Sequence, residues 1–145
     1  MRAHGAPISK PTILLVEGDA SLRRWLAALL AEVGYQVLEA GERQEVLRHL
    51  RSHEPVHLVV TDARIGGMPG AEVAQETSNL RPGVPVVRLI GSMAEGLPVW
   101  RADLDPSVLL WKPFTLPHFL DVIRAQLSRR EETKEVRTPS YTFLR

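Results

Sequence analysis

The chain has 145 residues, of which 44% are hydrophobic and 24% are charged, and its formal net charge is +1. This composition is typical of a single globular domain, and the near-zero charge gives no electrostatic basis for binding nucleic acid or a membrane surface. The absence of cysteine excludes disulfides, thiolate zinc sites and a cysteine nucleophile. No apolar run approaches the roughly 18 residues that a membrane span needs, and no secretory signal is recognisable, so we expect a cytoplasmic protein.

The first half of the chain predicts two strand–helix pairs and a third strand. Residues 12–16 (TILLV) form an apolar run without alternation, as in a strand that is covered on both faces. Asp19 is a good N-cap for a helix that ends before Gly34. The next elements are a strand over 35–40, a helix over 42–53 and a strand over 56–62.

The second half continues the alternation with one weak segment. A glycine-rich loop after Asp62 precedes a helix over 71–80. The remaining elements are strands over 84–90 and 108–111 and a last helix over 116–127 that is capped by Thr115. Between the last two strands, Gly96, Pro98 and Pro106 interrupt the sequence, so the fourth helix is expected to be short or irregular.

These elements define a domain over 12–128, with a flexible N-terminal arm over 1–11 and a polar C-terminal tail over 129–145. Strands alternating with helices predict an α/β fold in which helices cover both faces of a parallel sheet. Ligands bind such sheets beyond the carboxyl ends of the strands. Glu17, Asp62 and Lys112 each lie at the end of an apolar strand. We therefore expect these three side chains to converge at one edge of the sheet.

Four stretches of the chain, in this order and at this spacing, resemble the receiver domains of bacterial response regulators, the CheY-like family. They are ILLVEGDASLRR, LVVTDARIGGMPG, PVVRLIG and WKPF. The similarity covers about residues 12–128. It implies a five-stranded, flavodoxin-like, doubly wound (βα)5 fold and a signalling module rather than an enzyme.

The resemblance assigns roles to four residues. Asp62 matches the aspartate that accepts a phosphoryl group from a histidine kinase or a phosphotransfer protein. Glu17 matches an acid that binds Mg²⁺ together with Asp62 and the backbone carbonyl of Arg64. Lys112 matches the lysine that neutralises the phosphoryl charge, and the bond to the following proline is usually cis in the family.

Each of these residue types suits the chemistry. An ionised carboxylate that is exposed and held in line is a nucleophile toward phosphorus. Mg²⁺ prefers one or two carboxylates completed by waters and phosphate oxygens, and it shields the nucleophile from an anionic donor. Lysine supplies a compact positive charge that can follow the phosphoryl oxygens, and an ion pair with Asp62 is expected when no metal is bound.

Three positions depart from the family pattern. Gly18 replaces the second metal-binding acid, Ile90 replaces the hydroxyl residue that grips the phosphoryl group, and Leu109 replaces an aromatic residue that moves on activation. Metal binding is therefore expected to be weak or absent, unless Asp19 acts as a replacement ligand rather than as a helix cap. Gly18 also permits a positive φ, which would bend the loop, and a shifted register would bring Ser92 to the hydroxyl position.

Two functions follow from this pattern. The first is a phospho-acceptor in two-component signalling with an atypical metal and switch site. The alternative is a pseudo-receiver that binds a protein partner or a second copy through the region 91–111 without phosphorylation. An enzyme or a nucleotide-binding protein on the same fold is disfavoured, because EGDAS after the first strand is no phosphate-binding glycine loop.

Overall fold

A computed structural model describes residues 10–62, 64–65, 67–91 and 107–135. Its elements are β1 (Thr12–Val16), α1 (Ala20–Glu32), β2 (Gln36–Ala40), α2 (Arg43–Arg51), β3 (Leu58–Asp62), β4 (Arg64–Ile65), β5 (Met68–Pro69), α3 (Gly70–Leu80), β6 (Val86–Ile90), β7 (Val108–Trp111) and α4 (Leu116–Glu135). The predicted irregular fourth helix, Ser92 and most of the predicted partner region lie outside the described residues.

Five strands form one parallel sheet in the order β2-β1-β3-β6-β7, which confirms the predicted doubly wound α/β fold. β1 lies inside the sheet, with Leu14 beside Leu38 of β2 on one side and Val59 of β3 on the other. Alternate residues of β1 belong to two different core clusters. This two-sided burial explains why the strand is apolar at every position.

The helices cover the sheet in two layers. Leu30 of α1 and Phe119 of α4 pack on one face, while Val46 of α2 and Val73 of α3 pack on the other. Each of these four side chains is fully buried. The two clusters leave the carboxyl ends of the strands free for polar residues.

Several predicted boundaries shift by one or two residues, and two features differ more. The glycine-rich loop after β3 contains a short antiparallel hairpin of β4 and β5, with Gly67 at a φ of 79°. Helix α4 continues to Glu135, beyond its predicted end at Leu127. Glutamate, lysine and arginine are strong helix formers, and they dominate this extension. The division into arm, domain and tail stays a prediction.

The helix ends agree with the sequence. The Asp19 side chain accepts hydrogen bonds from the amides of Ser21 (2.9 Å) and Leu22 (3.1 Å), as predicted for an N-cap. Gly34 follows α1 with a φ of 108°, a conformation that favours glycine. Across the described ranges, no helix is both long and apolar enough to cross a membrane.

Candidate phosphoryl-acceptor site

The carboxyl ends of β3 and β7 bring two predicted site residues into contact. Asp62 is the last residue of β3, and Lys112 directly follows β7. The Lys112 ammonium donates a hydrogen bond of 3.0 Å to Asp62 Oδ1, across 50 residues of sequence. The predicted ion pair is therefore confirmed. Both side chains are partly exposed to solvent, at 34% for Lys112 and 20% for Asp62.

Backbone contacts fix the position of Lys112. Its amide donates to the carbonyl of Ile90 at 2.8 Å, which continues the β6–β7 pairing beyond the last strand residue. The peptide bond between Lys112 and Pro113 is cis, as the family resemblance implied. The ammonium of Lys112 is therefore carried on an anchored backbone at the sheet edge.

Glu17 follows β1 and is 4% exposed. Its amide donates to the carbonyl of Ala40 at 3.0 Å, and its carboxylate Oε2 accepts a hydrogen bond from the amide of Asp19 at 3.0 Å. The other carboxylate oxygen, Oε1, is buried and has no hydrogen-bond partner among the described residues. A buried carboxylate oxygen without a partner is costly, and a bound cation would satisfy it.

The electrostatic surroundings of Glu17 raise its pKa above the usual value of a glutamate. Burial is the largest cause, and the nearby charges of Asp62 and Asp19 act in the same direction. The hydrogen bond from the Asp19 amide and the positive charge of Lys112 oppose this rise in the pKa. The carboxyl group of Glu17 thus belongs to the same cluster of charges as Asp62 and Lys112.

Gly18 lies between the two acids of this loop. Its φ is not positive, so the suggestion that it bends the loop by a left-handed conformation is wrong. A Cβ atom at this position would lie 3.8 Å from Ile65 Cγ2, which is ordinary van der Waals contact. A Cβ atom therefore fits at residue 18, and neither the backbone of Gly18 nor its described surroundings require glycine.

Asp19 and Arg64 are the two further residues that were predicted to contribute to a metal site. The Asp19 side chain is exposed and caps α1, so its role as a replacement metal ligand stays a prediction. Arg64 begins the short hairpin and pairs with Pro69. The role of the Arg64 backbone carbonyl in the metal shell also stays a prediction.

The β6–β7 side of the site is apolar. Ile90 is the last residue of β6 and is 5% exposed. It lies beside Trp111 in the parallel register, and Leu109 lies beside Arg88 two residues earlier. Leu109 is half-buried and Trp111 is 43% exposed. Neither Ile90 nor Leu109 carries a group that can hydrogen-bond to a phosphoryl oxygen.

Sequence reasoning missed one residue that contacts this site. The guanidinium of Arg23 in α1 donates to the backbone carbonyl of Glu17 at 2.8 Å and to Glu39 Oε1 at 3.2 Å. In the sequence, Arg23 is distinguished only by its position one turn after the Asp19 cap. The structure shows that this position lies on the side of α1 that faces β2. An arginine at that position is equally consistent with a solvated surface residue.

Residues 13–124 match the family described as the response regulator receiver domain, and the chain belongs to this family. It is 31% identical over 121 residues to the transcriptional regulatory protein PdtaR of Mycobacterium tuberculosis, covering 83% of this chain and 58% of PdtaR. It is 32% identical over 116 residues to the receiver protein CpdR of Brucella abortus, covering 79% of this chain and 95% of CpdR.

Solved structures agree with this assignment. A CheY-like receiver domain protein from Methanospirillum hungatei superimposes with a TM-score of 0.75 at 25% identity, covering 86% of this chain and 98% of that one. A receiver protein from Sinorhizobium medicae gives 0.68 at 27% identity, covering 83% and 97%. The chain spans a little over half the length of several curated relatives, between 53% and 58%.

The chain is thus a receiver domain of two-component signalling, a non-enzymatic signalling module. Receiver domains partner with histidine kinases, and the family typically binds Mg²⁺. The residues present fit a reduced magnesium site. Glu17 Oε1 is buried without a partner in the part of the chain that the structure describes, and the charge of Asp62 contributes to the raised pKa of Glu17. Within the described ranges no group of three acidic, histidine or cysteine side chains is assembled for a metal, so waters and backbone would supply the other ligands.

Proposed function

We propose that this receiver accepts a phosphoryl group on Asp62, with an atypical metal site and an atypical switch. The observation that carries the proposal is the 3.0 Å ion pair between Lys112 and Asp62 at the carboxyl edge of the sheet. A carboxylate held beside a fixed cation, and still reached by solvent, has what an acceptor of an anionic group needs.

In the transfer step, a carboxylate oxygen of Asp62 forms a bond to phosphorus while the bond between phosphorus and the donor's leaving group breaks. The leaving group, an imidazole nitrogen of a histidine kinase or the carboxylate of a small acyl phosphate, departs with the electron pair of that bond. The Lys112 ammonium follows the phosphoryl oxygens and neutralises part of their charge. A Mg²⁺ ion at Glu17 and Asp62 would supply further charge stabilisation when it is bound.

The atypical part of the proposal rests on three side chains. Gly18 leaves Glu17 as the only acid directly after β1 that is not used in capping. Ile90 presents a buried aliphatic side chain where the family has a hydroxyl, and Leu109 replaces the aromatic residue. Phosphorylation of Asp62 is therefore expected to need high Mg²⁺ and to produce little of the rearrangement that a hydroxyl and an aromatic residue would transmit.

A pseudo-receiver that acts without phosphorylation is the second candidate. The observation in its favour is the apolar β6–β7 side, where Ile90 is 5% exposed and packs at the position from which the phosphoryl grip would come. Such a module would bind a protein partner or a second copy in one fixed state, through the region 91–111. The Lys112–Asp62 pair would then be a structural contact of the closed pocket.

The deciding experiment is incubation with Mg²⁺ and acetyl phosphate, followed by intact-mass measurement. We expect a phosphoryl adduct on the wild-type protein that is absent in Asp62→Asn. Asp121→Asn is the matched control, because Asp121 is an exposed acid on α4 whose contact is with Arg124. An adduct on both wild type and Asp121→Asn, and none on Asp62→Asn, would rule out the pure pseudo-receiver. No adduct at any Mg²⁺ concentration would favour it.

A further inference from the structure

Arg23 links the loop after β1 to the neighbouring strand. Its side chain is partly buried, with 18% of it exposed. One nitrogen donates to the carbonyl of Glu17 at 2.8 Å, and another donates to Glu39 Oε1 of β2 at 3.2 Å. The side chain therefore ties the residue that follows β1 to the edge strand of the sheet.

Gly41 provides the space for this guanidinium. A Cβ atom at Gly41 would lie 2.5 Å from Arg23 Nη1, closer than real Cβ atoms approach a neighbour. The φ of Gly41 is not positive, so backbone conformation is no reason for glycine here. The three described atoms nearest to such a Cβ atom all belong to the Arg23 guanidinium.

Glu17 has four polar atoms, and three of them have fixed partners. The amide bonds to the Ala40 carbonyl, Oε2 accepts from the Asp19 amide, and the carbonyl accepts from Arg23. The first two partners are backbone groups, so Arg23 contributes the one side-chain contact in this set. Oε1 is left buried without a partner among the described residues.

We propose that Arg23 is a positioning residue for the acid pocket, and that Gly41 is needed because it makes room for the Arg23 guanidinium. By holding the Glu17 carbonyl, Arg23 fixes the backbone that carries the Glu17 carboxylate, so that Oε1 stays available to a divalent cation. This inference rests on the proposed role of Glu17 in binding Mg²⁺.

The contact matters more in this chain than in a pocket with two acids after β1. Gly18 supplies no carboxylate, so Mg²⁺ binding at this loop depends on the single acid Glu17. The more mobile Glu17 is in the metal-free protein, the more of the Mg²⁺-binding free energy is lost in ordering its carboxylate. Residues that orient a metal ligand typically change metal affinity by about 10- to 100-fold when they are removed. We expect Arg23 to lie at the lower end of this range, because it acts through the backbone.

The first test compares Mg²⁺ affinity by calorimetry in Arg23→Ala and Arg24→Ala. Arg24 is the matched control, because it is the next residue of α1, carries the same charge and is exposed. We expect Arg23→Ala to weaken Mg²⁺ binding roughly tenfold and Arg24→Ala to change it less than about twofold. Equal effects of the two variants would mean that Arg23 acts only by its net charge, and would overturn the proposal.

A double-mutant cycle tests the role of Gly41. Gly41→Ala displaces the end of a flexible side chain, so it should weaken Mg²⁺ binding while changing the free energy of unfolding little. In the Arg23→Ala background the same substitution should have no further effect, because the guanidinium that it displaces is gone. Additive losses in the two variants would show that Gly41 acts independently of Arg23.

A third measurement separates this inference from the proposed function. The Asp19 amide donates to Glu17 Oε2, so its hydrogen exchange reports the position of the Glu17 carboxylate without any metal. We expect Arg23→Ala to speed exchange at Asp19 several-fold more than at the core amide of Val60, and Arg23→Lys to restore part of the protection. If wild type binds no Mg²⁺, the metal role of Glu17 fails, and the exchange data alone decide whether Arg23 positions it. Unchanged exchange at Asp19 in Arg23→Ala would overturn the positioning role.

Discussion

The two sides of the strand-end site differ in polarity. On the β1–β3 side, Glu17 and Asp62 are carboxylates, and Lys112 reaches Asp62 from β7. On the β6–β7 side, Ile90 and Leu109 are aliphatic, and Ile90 is almost fully buried. In the proposed function, the first side supplies the groups for phosphoryl transfer, whereas the second lacks the hydroxyl and aromatic groups that would report it. The proposal thus assigns these two roles to separate side chains.

Burial has opposite consequences on the two sides. Full burial of an isoleucine side chain stabilises a fold by about 1.5–3 kcal/mol, so Ile90 favours one packed state of the β6–β7 side. Burial of the Glu17 carboxylate disfavours its charged form and leaves Oε1 ready for a counter-charge. The side with Glu17 can therefore bind a cation, while the packing of Ile90 opposes a conformational rearrangement of the β6–β7 side.

The largest effect is expected from removing the cation on the polar side. Lys112→Met keeps the length of the side chain and deletes its charge, so the phosphoryl oxygens lose a fixed donor. We expect the rate of adduct formation with acetyl phosphate to fall about 10²–10³-fold. Lys112→Arg keeps the charge with a different shape and should lose less. A rate within a few-fold of wild type for Lys112→Met would show that the Lys112 ammonium does not contribute to phosphoryl transfer.

A second carboxylate on the polar side should strengthen metal binding. A Cβ atom at residue 18 would lie in ordinary van der Waals contact with Ile65. We expect Gly18→Asp to raise Mg²⁺ affinity roughly tenfold, because it adds a charge beside Glu17. Gly18→Asn is the control of equal shape without the charge. If calorimetry gives the same affinity for both variants and wild type, residue 18 does not face the metal.

A hydroxyl on the apolar side should cost stability and add a response. Ile90→Val removes one methyl group and should lower the free energy of unfolding by about 0.5–1.5 kcal/mol. Ile90→Thr has the same shape as the valine variant, and its buried hydroxyl should cost a further 1–3 kcal/mol or so while no phosphoryl group is present. Urea unfolding measures both costs.

The same pair of variants tests the readout. With acetyl phosphate and Mg²⁺, we expect a change in tryptophan fluorescence in Ile90→Thr that is larger than in Ile90→Val, since Trp111 lies beside residue 90. Equal responses from the two variants would mean that a hydroxyl at residue 90 does not reach the phosphoryl group. The lack of a conformational response on the β6–β7 side would then have a cause other than the missing hydroxyl.

The smallest effect concerns pH. The raised pKa of Glu17 means that the folded protein holds this proton more tightly than the unfolded chain does. Stability of the metal-free protein should therefore decrease as pH rises from the unfolded pKa through the raised folded pKa. Glu17→Gln, which cannot ionise, should show a shallower decrease in chemical unfolding between pH 4 and 7. An identical pH profile for both proteins would contradict the burial of an ionisable carboxyl group at this position.

The fold and the paired residues were predictable because they depend on patterns that lie along the chain. The unbroken apolar run of β1 predicted burial on both faces, and the acids and the lysine at the strand ends predicted convergence at one edge. The Asp62–Lys112 contact follows from this topology even though 50 residues separate the two. Parallel strands place their carboxyl ends together whatever the loops contain.

Arg23 and Gly41 could not be predicted in this way. Arginines on helix surfaces and glycines after strands are common in α/β proteins. Because 17 residues lie between Arg23 and Gly41, no local pattern indicates that they are in contact. The suggestion of a positive φ at Gly18 was wrong for a related reason, since a sequence does not reveal whether a glycine uses its conformational freedom. The packing of α1 against β2 brings Arg23 to Gly41, whereas Gly18 lies beside Ile65.

The sequence by itself determined the parallel sheet, the capped first helix and the charged residues at the strand ends, because periodicity and strand-end chemistry are local properties. The tertiary structure alone decided that Glu17 is buried with one carboxylate oxygen unpartnered among the described residues, that a Cβ atom fits at residue 18 and that Arg23 reaches the Glu17 carbonyl. These properties depend on how β1, α1 and the loops pack together in three dimensions, and no local sequence pattern encodes that packing.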